Sequence, residues 1–214
     1  MAQTRYSIPG SPYHRTTETI TRSRFIATLG PASCQDMARA FVEAIKSEFP
    51  DATHNCWAFA AGPPGDTAQI GCSDDGEPHN TAGRPMLQTL LHSDVGEIVA
   101  VVTRYFGGTK LGTGGLVRAY TRMVKKGLES LPVVEKIDKT RFKVVIDYAS
   151  IDPLKQLLHG HEAVIIAERY AADVSFVLEL PVEHKRRMIV ALKEATQGAL
   201  LLESAEVSYE RCLC

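Results

Sequence analysis

The run GEIVAVVTRYF, Gly96 to Phe106, constrains this chain more than any other stretch. Its residues are apolar at odd and even positions alike, so both faces of the strand it forms must be buried within a sheet. RYFGGTKLGTGGLVRAY follows, Arg104 to Tyr120, giving a glycine loop and then a helix over Leu116–Leu131. Strand, loop and helix in that order imply an α/β fold. With 214 residues the chain has room for one large domain or two small ones and a substantial core.

The remaining elements fall into two groups. Before the long strand lie a strand at SRFIATLG and a helix over Gln35–Phe49 with Met37, Phe41, Ile45 and Phe49 on one stripe. A strand over Asn55–Ala61, a short strand over Ile70–Cys72 and a helix over Thr81–His92, capped by Asn80 or Thr81, complete this half. The leader MAQTRYSIPGSPYHRTTETI has no apolar signal stretch and reads as mobile or packed at an edge. LPVVEKIDK, near Leu131–Lys139, breaks the helical pattern with a proline and mixed charges. We place the domain boundary there, giving domains 1–135 and 136–214.

The second half reads as strand RFKVVIDY, helix PLKQLLHG capped by Ser150 or Asp152, strands AVIIAERY and VSFVLELP, helix Glu183–Thr196 and strand ALLLESAEVSY. That order, βαββαβ, is ferredoxin-like and by itself names no function.

A net charge of −1 argues against a strongly basic nucleic-acid binder but leaves room for a local basic patch. No run of about 18 apolar residues is present to span a membrane. Five cysteines (Cys34, Cys56, Cys72, Cys212 and Cys214) lack metal-ligand spacing and read as free thiols of a reducing, cytoplasmic protein.

Two motifs could carry chemistry. In the first, Gly107, Gly108, Gly112, Gly114 and Gly115 surround Lys110 between a strand and a helix N-terminus. Free amides and the helix dipole would favour an anion there, with Arg104, Lys110 and Arg118 adding charge. The spacing matches neither a nucleotidase phosphate loop nor a dinucleotide fingerprint. Close packing and positive φ explain the glycines about equally well.

The second motif is SDDGEPHNTAGRP, Ser73 to Pro85. Asp74, Asp75 and Glu77 are the oxygen donors a hard cation takes, but their spacing fails the calcium-loop pattern. Acids that accept backbone N–H bonds and cap the following helix are the simpler reading. A mixed arrangement, with the acids bridging to Arg104 or Arg118, also fits. His54, His79 and Cys56 have no partner at a recognisable catalytic spacing, and Trp57 reads as a packing anchor. Tyr105 and Phe106 could stack on a base, or simply end a buried strand. No catalytic residue, metal ligand set or cofactor is assigned.

Taken in order, HNCWAFAAG, SDDGEPHNTAGRPML and VVTRYFGGTKLGTGGLVRAY resemble the Impact family, in particular its bacterial YigZ-type two-domain branch. The resemblance spans nearly the whole chain. One departure is Asn80, where the family usually has glycine in D-D-G-E-P-x-G-T-A-G; asparagine tolerates left-handed φ. The resemblance implies an N-terminal Impact domain similar to a ribosomal-protein fold shared with domain IV of elongation factor G. It implies a ferredoxin-like C-terminal domain similar to domain V of that factor. Both of those relatives work on ribosomal RNA, so the resemblance implies a role in translation through RNA or the ribosome; the initiation role of eukaryotic members does not transfer directly to a bacterial-type chain, and the resemblance supplies no catalytic residues.

The first functional reading is therefore a non-enzymatic binding protein that associates with RNA, the ribosome or a translation-related protein. Arg104, Lys110, Arg118 and the glycine-loop amides would contact phosphate, with Asp74, Asp75 and Glu77 orienting them. The alternative is an enzyme that holds a divalent cation on the acids and a substrate phosphate on the glycine loop.

Overall fold

The structure, a computed structural model, describes residues 4–203. The chain divides into two compact units, the first Tyr6–Lys136 and the second running from Ile137 onward with the described residues Thr4 and Arg5.

The elements up to the boundary are β1 (Arg5–Pro9), β2 (His14–Ile20), β3 (Ser23–Pro31), α1 (Gln35–Glu48), β4 (His54–Ala60), β5 (Ile70–Ser73), α2 (Gly83–Leu91), β6 (Ile98–Tyr105), α3 (Gly112–Ser130) and β7 (Val133–Ile137). β1 pairs with β7, and the main sheet has the order β2-β3-β6-β4-β5. Its pairings are antiparallel throughout. The apolar run lies at the centre, and every β6 residue except Tyr105 is buried. Period-two alternation divides it between two cores. Ala100 and Val102 join Phe25, Ala27, Cys56 and Ala58 beneath α2 and α3. Val99 and Val101 join Phe41, Val42 and Ile45 of α1 on the other face.

The second unit contains β8 (Lys139–Ile146), α4 (Ile151–Gly160), β9 (Val164–Tyr170), β10 (Val174–Pro181), α5 (Lys185–Ala195) and β11 (Leu200–Glu203). This is the expected βαββαβ order. The sheet runs β11-β8-β10-β9, with all three pairings antiparallel. Phe142, Val144 and Ile146 alternate inward with Val174, Phe176 and Leu178 against Leu154, Met188 and Leu192 of the two helices.

Several expectations change. α3 starts at Gly112, four residues before the expected Leu116, so Gly112, Gly114 and Gly115 belong to its first turn. Glycine lowers helix propensity by about 1 kcal/mol each but forbids nothing at a helix start. Met37 is exposed, and the buried stripe of α1 is Ala38, Phe41, Val42 and Ile45. The leader contributes β1 and the edge strand β2, whose threonine-rich HRTTETI pairs with β3 without an apolar face. Cys56 and Cys72 are free, but Cys34 is disulfide-bonded, a pairing that no local spacing signals. Cys212, Cys214 and the end of the last expected strand lie outside the described residues. No described helix is long and apolar enough to cross a membrane.

Candidate functional site

The three acids of the Ser73–Pro85 loop do three different things. Asp74 is the cap of α2. Its Oδ1 accepts from the Ala82 and Gly83 amides at 2.9 and 2.8 Å, and its Oδ2 accepts from Asn80 N at 2.8 Å. Those are free amides at a helix start, which an anionic acceptor satisfies. Asn80 and Thr81 do not cap as expected, because the first helical residue is Gly83 and α2 has no cap from the residue before it. Burial alone would raise the Asp74 carboxyl, but its three backbone donors together hold it below the ordinary carboxylate range.

Asp75 fastens the loop to the sheet. It sits at φ 42° and its Oδ2 accepts from Asn55 N at 2.7 Å, while Lys46 Nζ lies 3.1 Å from Oδ1. His54 Nδ1 lies 2.8 Å from the Asp75 carbonyl. Asn80 takes the left-handed φ of 60°, so the turn survives where the family usually has glycine. His79 is exposed.

Glu77 is buried and joins a polar cluster under α3. Arg104 Nη1 donates to its Oε1 at 2.6 Å, and Tyr120 Oη donates to the same oxygen at 2.8 Å. The side chains of Glu77 and Arg104 are 3% and 6% exposed. Cys56 Sγ lies 3.3 Å from Tyr120 Oη and donates to the Asp74 carbonyl at 2.9 Å. Burial pushes both the Cys56 thiol and the Tyr120 hydroxyl above their ordinary ranges, with neighbouring negative charge adding to it. A thiol held in that state is a poor nucleophile. Arg104 Nη2 also reaches Ser23 Oγ at 3.2 Å, and its Nε is buried without a partner.

Arg104 is therefore buried within this cluster. It lies on the inward face of β6, two residues beyond Val102, and its charge is committed to Glu77. This realises the mixed reading for Glu77 alone. Asp74 caps a helix, and Asp75 pairs with Lys46 and not with Arg104 or Arg118. Tyr120, Ser23, Lys46 and Asn55 complete the arrangement without having been singled out. For Tyr120 the signal was present, since it shares the apolar stripe of Leu116, Met123 and Val124. Among the described residues no group of three or more His, Cys, Asp and Glu side chains is arranged to hold a metal.

The glycine loop adjoins that cluster through Ser23 Oγ and is more open. Gly107 N donates to Ser23 Oγ at 3.3 Å, and a Cβ at Gly107 would fall 1.9 Å from the Arg22 carbonyl oxygen, so packing alone requires glycine there. Gly108 and Gly112 have φ of 84° and 70°. Gly114 differs: its φ is not positive, and a Cβ would meet only Arg118 Nη1, at 3.6 Å. The Arg118 guanidinium thus folds back over the first turn of α3. That turn has no side-chain cap and no acidic residue. Lys110 and Phe106 are exposed beside it, whereas the Tyr105 ring lies under the Arg24 guanidinium and its hydroxyl donates to Asp51. Arg118 lies over the first-turn glycines and Lys110 is exposed just before α3, whereas Arg104 is buried with its charge on Glu77 and its guanidinium carbon 5.6 Å from the Phe106 ring.

Comparison with known proteins gives two family matches along the chain. Residues 21–128 match the Impact N-terminal domain, and residues 144–199 match a domain of unknown function, DUF1949. IMPACT family member YigZ of Escherichia coli (strain K12) is 41% identical over 199 residues, covering 93% of this chain and 97% of that protein. An IMPACT family member of Haemophilus influenzae is 41% identical over 190 residues, covering 89% of this chain and 92% of its own. A crystal structure of an hypothetical protein, 39% identical, superimposes with a TM-score of 0.66 and covers 96% of this chain and 100% of that one. Matches of this identity over both units establish that the chain belongs to the Impact family.

Proposed function

We propose that this protein is a non-enzymatic binding protein acting in the regulation of translation, and that it contacts RNA or the ribosome through the glycine loop and the first turn of α3. The observation that carries this reading is Arg118 lying over Gly114 at an uncapped helix start. Backbone amides, the helix dipole and a guanidinium then converge where a phosphate can approach without meeting a Cβ. Exposed Lys110 adds charge and exposed Phe106 offers a ring to a base. The translational role rests on family membership and what the resemblance implies.

The cation-dependent alternative would need the oxygens of Asp74, Asp75 and Glu77. Each of these acids already accepts from amides or faces a cation. A metal would have to displace the cap of α2 or the partner of a buried arginine, so no observation favours that reading.

The test is anisotropy of a labelled structured ribosomal RNA fragment over a salt series, with wild type and Lys110→Glu/Arg118→Glu. Expected are saturable wild-type binding that weakens with salt and a variant with lower affinity and a flatter salt slope. Equal binding by the two proteins would refute the surface proposed here.

A further inference from the structure

A second surface of the first unit has different chemistry. α2 and α3 lie side by side over the sheet and leave between them an open groove of about 690 Å³. Pro85 and Thr89 of α2 and Val117, Thr121 and Leu128 of α3 line its floor, all of them half-buried. Exposed Arg84 and Lys125 stand on opposite rims. Glu129 is the one acid in the lining.

The hydroxyls on the α2 side are already satisfied. Thr89 Oγ1 donates to the Pro85 carbonyl at 2.8 Å, and Ser93 Oγ donates to the Leu90 carbonyl at 2.7 Å. With these two hydroxyls spent on backbone carbonyls, Pro85, Val117 and Leu128 are apolar floor that an occupant removes from water by bringing apolar surface of its own, while Gln88 and Thr121 can meet its polar edge. The rims ask for negative charge. Neither Arg84 nor Lys125 makes an ion pair among the described residues, whereas nearby Arg122 and Lys126 on the outer face of α3 are held by Glu18.

We infer that the α2–α3 groove is the docking site for an amphipathic helix of a protein partner, its apolar stripe on the floor and its acidic residues against Arg84 and Lys125. Helix walls offer no free backbone edge to an extended peptide, so strand addition is excluded and helix-in-groove packing remains. The nine residues of α2 give a wall about 13 Å long, enough for two to three turns of the bound helix. A nucleic-acid strand suits the groove less well. Phosphate brings no apolar surface, and no Phe, Tyr or Trp lines the groove for a base to stack on. This inference does not depend on RNA contact at the glycine loop.

The test titrates the isotope-labelled full-length protein with a synthetic helical peptide of about 18 residues, carrying leucines at i, i+3/i+4 and i+7 flanked by glutamates. A scrambled peptide of the same composition and a ribosomal RNA hairpin are separate arms. Saturable shifts at the amides of Thr89, Val117 and Thr121 are expected with the helical peptide only. Arg84→Glu/Lys125→Glu should weaken it by about tenfold or more. Both positions are exposed, and a glutamate in the first turn of α2 suits the helix dipole, so the variant should keep the wild-type melting temperature. Lys110→Glu/Arg118→Glu should retain peptide binding, which separates failure here from failure of RNA contact at the glycine loop. Equal binding of the scrambled peptide, or shifts outside α2 and α3, would overturn the inference. So would shifts of the same amides by RNA but not by the helical peptide, which would assign the groove to phosphate.

Discussion

Replacing Arg104 with methionine tests whether the buried pair holds the acidic loop against the sheet. Glu77 and Arg104 meet at 2.6 Å with side chains only 3% and 6% exposed. Arg104→Met keeps apolar volume near Phe25 and Phe106, whose rings lie 5.5 and 5.6 Å from the guanidinium carbon. It leaves the Glu77 carboxylate facing the Tyr120 hydroxyl, with His54 Nε2 3.9 Å from its other oxygen, in a site closed to water. Removing one partner of such a pair costs about 3–5 kcal/mol, and the remaining Tyr120 bond argues for the lower end. With a urea m-value of about 2 kcal/mol/M, a loss of about 3 kcal/mol moves the midpoint down by about 1.5 M. Trp57 is the only tryptophan and lies in β4 opposite Val101 of β6, so its fluorescence reports this unit directly. Arg104→Met/Glu77→Gln removes both charges but keeps an acceptor for Tyr120. It should recover most of the loss, giving a coupling above about 1 kcal/mol in the cycle. A midpoint shift below about 0.5 M for the single variant, or simple additivity in the double, would refute the assignment of Arg104 to the loop rather than to a ligand.

Further expectations concern the glycines, the cap and the thiols. Gly107→Ala forces a Cβ to within 1.9 Å of the Arg22 carbonyl oxygen and should lower the melting temperature sharply, whereas Gly114→Ala should hold or raise it by helix propensity of up to about 1 kcal/mol. If phosphate approaches the first turn of α3 closely, Gly114→Ala should still weaken RNA binding in the anisotropy assay; unchanged affinity would remove Gly114 from the surface. The Asp74 carboxyl is depressed in the folded state, so its stabilisation is present above its ordinary value of 3.8 and is lost as pH falls through and below that value. Melting curves between about pH 5 and pH 3 should show a smaller loss in Asp74→Asn than in wild type, and equal slopes would count against the cap. At mildly alkaline pH, maleimide labelling read by peptide mass spectrometry should modify exposed Cys72 in the native protein, and buried Cys56 only after urea is added. Rapid native labelling of Cys56 would show that the Tyr120–Glu77 cluster opens readily.

The second unit was the more readable because its alternation is regular: Phe142, Val144 and Ile146 turn inward while Arg141, Lys143 and Val145 turn outward. In the first unit β6 was equally clear, because a strand buried on both faces needs no alternation to be recognised. β2 was not, since its threonines and charges offer no apolar period and its place at the sheet edge is set by pairing with β3. The start of α3 was hidden by its own glycines, which read as loop until Leu116 although the element begins at Gly112. Local rules also chose the wrong cap for α2. They look one residue before the helix, while the acceptor is Asp74, brought back to the amides of Ala82 and Gly83 by two turns.

The direction of Arg104 could have been had from the strand itself. Ala100, Val102 and Arg104 share one face of β6, and Val99, Val101 and Thr103 share the other. An arginine in register with two core residues must find a buried anion or leave its charge without compensation, so a carboxylate partner was implied before any fold was known. What the strand could not say is that the partner is Glu77, since nothing local distinguishes it from Asp74 or Asp75. The loop settles that by geometry. Asp74 is drawn to the helix amides and Asp75 to β4, which leaves Glu77, held by the bond from its amide to the Asp74 carbonyl, to point beneath α3. The same assignment buries the Arg104 charge, whereas Lys110 and Arg118 are exposed at the glycine loop and the first turn of α3. Charge reversal there should therefore alter binding without unfolding the protein, whereas charge reversal at Arg104 should unfold it.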